Sequence, residues 1–164
     1  MSVEIVRADD AFALGTCGSV VLMVWRGEPL LERLRAASGL VRTHAAASGG
    51  KVAVVSVLEE DAPEPGPTEQ KDLAREMRKL APSMVATALV LEGGGERAQR
   101  KLEVGFVIDA LRRHLPKQKY CYGTKEATSW VLLQSRGVVR EAPTRGELLD
   151  AIELVRAAIG PLGG

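Results

Sequence analysis

A chain of 164 residues, 46 % of them hydrophobic, has the length of one domain and enough apolar material for a real core. Its 22 basic and 21 acidic residues leave a net charge of +1, which excludes bulk attraction to nucleic acid or to an anionic membrane surface. Only 4 % of the residues are aromatic, so that core must be made of Val, Leu, Ala and Ile.

The first residues, MSVEIVRADDAF, lack the basic segment and apolar run of a signal peptide. Residues 2–7 read as a short edge strand. SVVLMVW, residues 19–25, is a continuous apolar run, the mark of a strand covered on both faces. Gly27, Glu28 and Pro29 end it, and Pro29 can open the following helix, because a first-turn proline loses no needed hydrogen bond. Leu30, Leu31, Leu34, Leu40 and Val41 give that helix an apolar stripe, and Gly49 and Gly50 stop it.

KVAVVSV, from Lys51, predicts a second buried strand. EEDAPEPGP, residues 59–67, holds three prolines, a glycine and four acids, and cannot be the interior of a helix or strand. Thr68 is placed to cap the helix TEQKDLAREMRKLA, whose acids lie early and bases late, as the helix dipole prefers. MVATALVL, residues 84–91, is a third buried strand, followed by the loop EGGG and a helix expected over residues 96–114. QKYCY is a short strand, Gly123 a turn, and Thr124 the cap of the helix KEATSWVLLQ. From Thr144, the residues Leu148, Leu149, Ile152, Val155 and Ile159 recur at helical spacing and predict one more amphipathic helix. Strands alternating with helices define an α/β fold. No apolar run approaches the roughly 18 residues that span a bilayer, so a cytoplasmic protein with no membrane insertion is expected.

The order of VVLMVWRGEP, VAVVSV, the Pro-rich loop, ALVLEGGG and YCYGTKEATSWVL resembles the STAS-like domains of sulfate transporters and anti-anti-sigma factors, in an uncharacterised bacterial branch. The terminal helix of that branch is matched by Thr124, Glu126, Ala127, Trp130 and Leu132, and the resemblance covers residues 20–134. It implies a mixed sheet of four to five strands with helices packed on it over residues 1–140. Residues 141–164 would add a C-terminal amphipathic helix that folds back or joins two copies in a homodimer. The family's implied role is regulatory, by protein binding, through a hydroxyl residue that a partner kinase phosphorylates within an Asp-Ser-Ser/Thr-Gly stretch. Residues 59–68 stand at that junction without an Asp-Ser pair; Thr68 is their one hydroxyl, and capping accounts for it.

Several stretches can be read for chemistry. Cys121 precedes a helix start near Lys117, Lys119 and Lys125, the setting that lowers a thiol pKa. Strand alternation, however, turns it away from Tyr120 and Tyr122 and under a helix, so a structural thiol is expected. Cys17 and Cys121 lack a CxxC partner or a nearby histidine, and His44 and His114 both have structural explanations, so no metal or cofactor site is expected. Gly93, Gly94 and Gly95, with Arg97, Arg100 and Lys101, could cradle an anion at a helix N-terminus, although neither GxxxxGK[ST] nor GxGxxG is present. Glu59, Glu60, Asp61, Glu64 and Thr68 would share the carboxyl edge of a parallel sheet with that loop, where ligands and partners of such sheets bind. Trp25 and Trp130 read as packing residues.

These observations give three expectations. The first is a non-catalytic protein-binding domain that meets another protein through Glu59, Glu60, Asp61, Glu64 and Thr68. The second is a binder of an anion or lipid-like molecule at Gly93, Gly94, Gly95, Arg97 and Lys101. The third, weaker one is a redox enzyme using Cys121. Neither paired carboxylates with a positioned histidine nor a Ser-His-Asp order is evident, and no catalytic residue is expected.

Overall fold

The computed structural model describes residues 1–93 and 117–160. They form one six-stranded sheet in which spatial order follows chain order: β1 (Val3–Ala8), β2 (Phe12–Cys17), β3 (Val20–Trp25), β4 (Val52–Leu58), β5 (Met84–Leu91) and β6 (Lys117–Cys121). The first three strands are antiparallel, and β3 to β6 are parallel. The four described α-helices are α1 (Leu31–Ala47), α2 (Pro67–Leu80), α3 (Thr124–Ser135) and α4 (Arg145–Ala157).

The α/β class holds, with more strands than the expected four or five. The extra strand is β2, whose sequence FALGTC is buried throughout and shows no alternation. Two tight turns place it. Asp9 accepts hydrogen bonds from the amides of Ala11 (2.7 Å) and Phe12 (2.9 Å), closing the β1–β2 turn. Gly18 then turns β2 into β3 with φ +55°, a conformation that a two-residue hairpin loop demands. Gly15 serves packing: a β-carbon there would lie 2.7 Å from Val155 Cγ2 and 2.8 Å from the Glu4 carbonyl oxygen.

Side chains on successive strand positions divide between two cores. Ala53, Val55, Val57, Ala88, Val90 and Cys121 meet α3 and α4 on one face. Phe12, Leu14, Met23, Trp25, Val52 and Val54 meet α1 and α2 on the other. Right-handed crossovers that step along a sheet in one direction leave their helices on one face, and both α1 and α2 lie there. The stripe that α1 buries keeps Leu34 and Val41 of the expected set and adds the small residues Ala37, Ser38 and Ala45. Leu30 is exposed, and Leu31 and Leu40 are half-buried.

Two helix starts differ from expectation. Pro67, with Gly66 before it, begins α2 and leaves Thr68 exposed inside the first turn; proline suits the first helical position, where no N–H is needed. Gly123 rather than Thr124 precedes α3. The C-terminal helix has a full capping box, in which Thr144 and Glu147 exchange side-chain and backbone hydrogen bonds. Its apolar residues Leu148, Ala151, Ile152 and Val155 are buried against the chain's own sheet and α3. A homodimer would therefore use other residues than this stripe. Among the described residues, no helix is long and apolar enough to cross a membrane.

Candidate functional site

The space between the sheet and helices α1 and α2 contains a cavity of about 140 Å³. Its floor follows from strand register. Met23 pairs with Ser56, Ser56 with Leu89, and Leu89 with Tyr120, so four residues from four strands form one row. Val54, Thr87 and Gln118 form the row beside it. All seven line the cavity. The otherwise apolar β4 and β5 thus carry Ser56 and Thr87 on this one face, where the more polar β6 adds Gln118 and Tyr120. The opposite face of the same strands carries only Ala, Val and Cys in its core.

The roof comes from the inner stripes of two helices. From α1 come Leu34, Ala37 and Ser38; from α2 come Leu73, Glu76, Met77 and Leu80. The spacing 73, 76, 77, 80 is that of an apolar helical face, and Glu76 occupies a core position in it. Its side chain is 4 % exposed. Gly27 and Pro29 after β3, and Ala62, Pro63 and Pro65 after β4, form the rim at the carboxyl edge of the strands.

Several polar groups of the cavity are engaged. Trp25 stacks on Phe12 with ring centroids 4.7 Å apart, and its indole N–H donates to Ser56 Oγ at 3.1 Å. The Ser56 hydroxyl hydrogen is not used by that bond. Thr87 Oγ1 donates to Met84 Sδ at 3.4 Å. Burial pushes the Glu76 carboxyl up, but Lys79, 2.9 Å away, together with Ser38 and Arg35 outweighs it and holds the group below the usual carboxylate range. Glu76 is therefore ionised at neutral pH. Ser38 is fully buried; its hydroxyl is directed at Glu76, yet no hydrogen bond of ordinary length closes on it among the described residues. Glu76 is the one charged residue among the described lining.

The acidic loop and the start of the glycine loop do come together at the carboxyl edge, as parallel strands require. Glu59 is held by Arg26 (2.8 Å) and by Arg156 of α4 (3.4 Å). Arg156 also grips both carboxylate oxygens of Glu92, at 2.6 and 2.8 Å. Hydrogen bonding to Glu92 raises the guanidinium pKa further above its ordinary value. Glu59 is thus an internal anchor for α4. Glu60 lies across Gly93, where an added β-carbon would meet its side chain. A carboxylate-bearing chain at that glycine is a poor neighbour for an anion. Asp61, Glu64 and Thr68 are exposed, while Ala62, Pro63 and Pro65 of the same loop face the cavity. Gly94, Gly95, Arg97, Arg100, Lys101 and His114 lie outside the described residues, as does the helix expected over 96–114.

Cys121 is fully buried in the core beneath α3, and burial, reinforced by Glu126, pushes its thiol up to about 11. Cys17 is likewise buried and raised. Neither is a thiolate at neutral pH. His44 donates from Nε2 to the Gly18 carbonyl at 2.6 Å and so fastens α1 to the β2–β3 turn. Among the described residues, no cluster of His, Cys, Asp and Glu could hold a metal ion.

Ser38, Ser56, Glu76, Thr87, Gln118 and Tyr120 do not stand out as a set in the sequence. The available signal is a single hydroxyl inside the apolar strands β4 and β5, but only the register reveals that these share a face with Gln118 and Tyr120. Comparison with models of known families, with curated proteins and with solved structures finds no match.

Proposed function

We propose that the protein is a non-catalytic small-ligand-binding domain that takes a compact, mostly apolar molecule between its sheet and helices α1 and α2. The observation that carries this reading is the convergence of Ser56, Thr87, Gln118 and Tyr120, in register, on one cavity. Withdrawing polar groups from water costs free energy that hydrogen bonds must offset, whereas apolar side chains need no such offset. A face built only for packing would use Val and Ala, as the opposite face does. The size is suitable too: an apolar cavity of about 150 Å³ is known to take up benzene. Thermal melting tests the reading. Saturating toluene should raise the melting temperature, and Ala37→Leu, which fills the roof, should abolish the rise. A melting temperature unmoved by toluene would refute it.

A second reading is favoured by the exposure of Thr68 in the first turn of α2, beside exposed Asp61 and Glu64. It takes the chain as a STAS-like regulatory domain that binds another protein at this rim. A partner that co-purifies at fixed stoichiometry and is lost on Thr68→Asp and Glu64→Lys substitution supports it. Retention of that partner by both variants refutes it.

A further inference from the structure

We infer that the cavity selects ligands carrying an amine, held as an ammonium group by Glu76 with Ser38 beside it, on a compact apolar body. This deepens the small-ligand reading above and rests on it.

Four observations lead there. Glu76 occupies a core position on α2, within the apolar spacing of Leu73, Met77 and Leu80, where a residue chosen for packing would be Leu or Met. It is the one charged residue among the described lining, so the wall itself offers a bound molecule a carboxylate and no cation. Its partner Lys79 is half-exposed on the outer side and reaches Oε1. A carboxylate has two oxygens and about four lone-pair sites, so Lys79 leaves acceptor capacity on the inner side. Ser38, fully buried on the facing helix, directs its hydroxyl at the same carboxylate without closing a bond of ordinary length among the described residues. A buried hydroxyl in that state is rare in a settled core. It can turn to accept a hydrogen from an ammonium group lying between it and Glu76. An ammonium has three donors and no acceptor, which matches one carboxylate and one hydroxyl on α2 and α1. The apolar remainder would lie over Met23, Leu89 and Met77.

Three probes that share a phenyl ring test this: toluene, benzylamine and benzoate, titrated into the whole protein by calorimetry at pH 7. Benzylamine should bind about tenfold or more tighter than toluene, the margin of one charge-assisted hydrogen bond, and benzoate should not bind. In Glu76→Gln the ratio of benzylamine to toluene affinity should fall to about one. Ser38→Ala should weaken benzylamine alone, which gives a second reading if Glu76→Gln folds poorly. Equal affinity for toluene and benzylamine would overturn the amine inference and leave the cavity reading intact. Tighter binding of benzoate than benzylamine would also overturn the inference. Binding of none of the three would overturn both.

Discussion

If Glu76 is kept for a ligand, the fold should do as well without it. Replacing it by leucine puts an apolar side chain among Leu73, Met77 and Leu80, beside a cavity with room to receive it. Full burial of a leucine contributes about 1.5–3 kcal/mol. What is lost is a pair with half-exposed Lys79, worth about 0.5–1 kcal/mol at such a site. The Ser38 hydroxyl, which already closes no hydrogen bond of ordinary length among the described residues, would lose even its electrostatic contact with the carboxylate, and Ser38→Ala removes the cost of about 1–3 kcal/mol of keeping it buried and unpaired. Glu76→Leu alone should therefore be near neutral. The double variant with Ser38→Ala should gain about 1–2 kcal/mol, or about 2–8 °C in melting temperature. Urea unfolding followed by circular dichroism reads the difference. The pH dependence is a further check. The folded-state pKa of Glu76 lies below its ordinary value of 4.5, so its ionisation stabilises the fold above that value. That contribution is lost as pH falls through the folded pKa. Wild type should therefore lose more stability on acidification than the double variant. A loss of 2 kcal/mol or more in the double variant at pH 7 would show Glu76 to be a clamp between α1 and α2, and would refute the reasoning.

Three further predictions address the frame of the cavity. Arg156→Met removes the two-pronged grip on Glu92 and the link to Glu59; by the worth of partly buried charge-assisted bonds it should cost about 2–3 kcal/mol in urea unfolding, and a cost below about 0.5 kcal/mol, the level of an ordinary surface pair, would contradict the anchoring role. Gly15→Ala should destabilise by about 1–3 kcal/mol, the usual range for overpacking. Val155→Ala should restore only part of that loss, because the Glu4 carbonyl also stands in the way; full restoration would place the whole clash on the side chain. Cys121 should resist a thiol reagent at pH 8 in the folded protein and react in denaturant, since its thiol is buried and held near 11; rapid labelling of the native protein would contradict this.

The sequence was most legible where a strand is covered on both faces. VVLMVW, VAVVSVL and MVATALVL read as buried strands because nothing in them alternates. β2 escaped for the opposite reason: Gly15 and Thr16 interrupt a segment that is apolar only through context. The cap of α2 lies two residues before Thr68, at Gly66, because Thr68 and Pro67 both carry start signals and proline takes the first helical position. The cavity was hidden for a deeper reason. Register in a sheet moves every side chain to the other face when it slips by one residue, and sequence alone does not fix it. Ser56, Thr87 and Gln118 are separated by whole crossovers, yet the pairing makes Ser56 a row neighbour of Tyr120, and Thr87 of Gln118. Ser38 and Glu76 passed as polar interruptions of two helices until those helices were seen to face each other across the same space. Charge is the feature that marks the acidic loop in the sequence. Its structural contribution lies as much in Ala62, Pro63 and Pro65, which wall the cavity.

The most direct test uses probes the chain already has. Of its four methionines, Met23, Met77 and Met84 line the cavity, while Met1 is exposed at the chain start. With 13C-labelled methionine methyl groups, a titration with benzylamine should shift the signals of Met23, Met77 and Met84 along one saturable curve and leave Met1 in place. Methyl signals that stay fixed at every concentration, or a shift confined to Met1, would contradict the account.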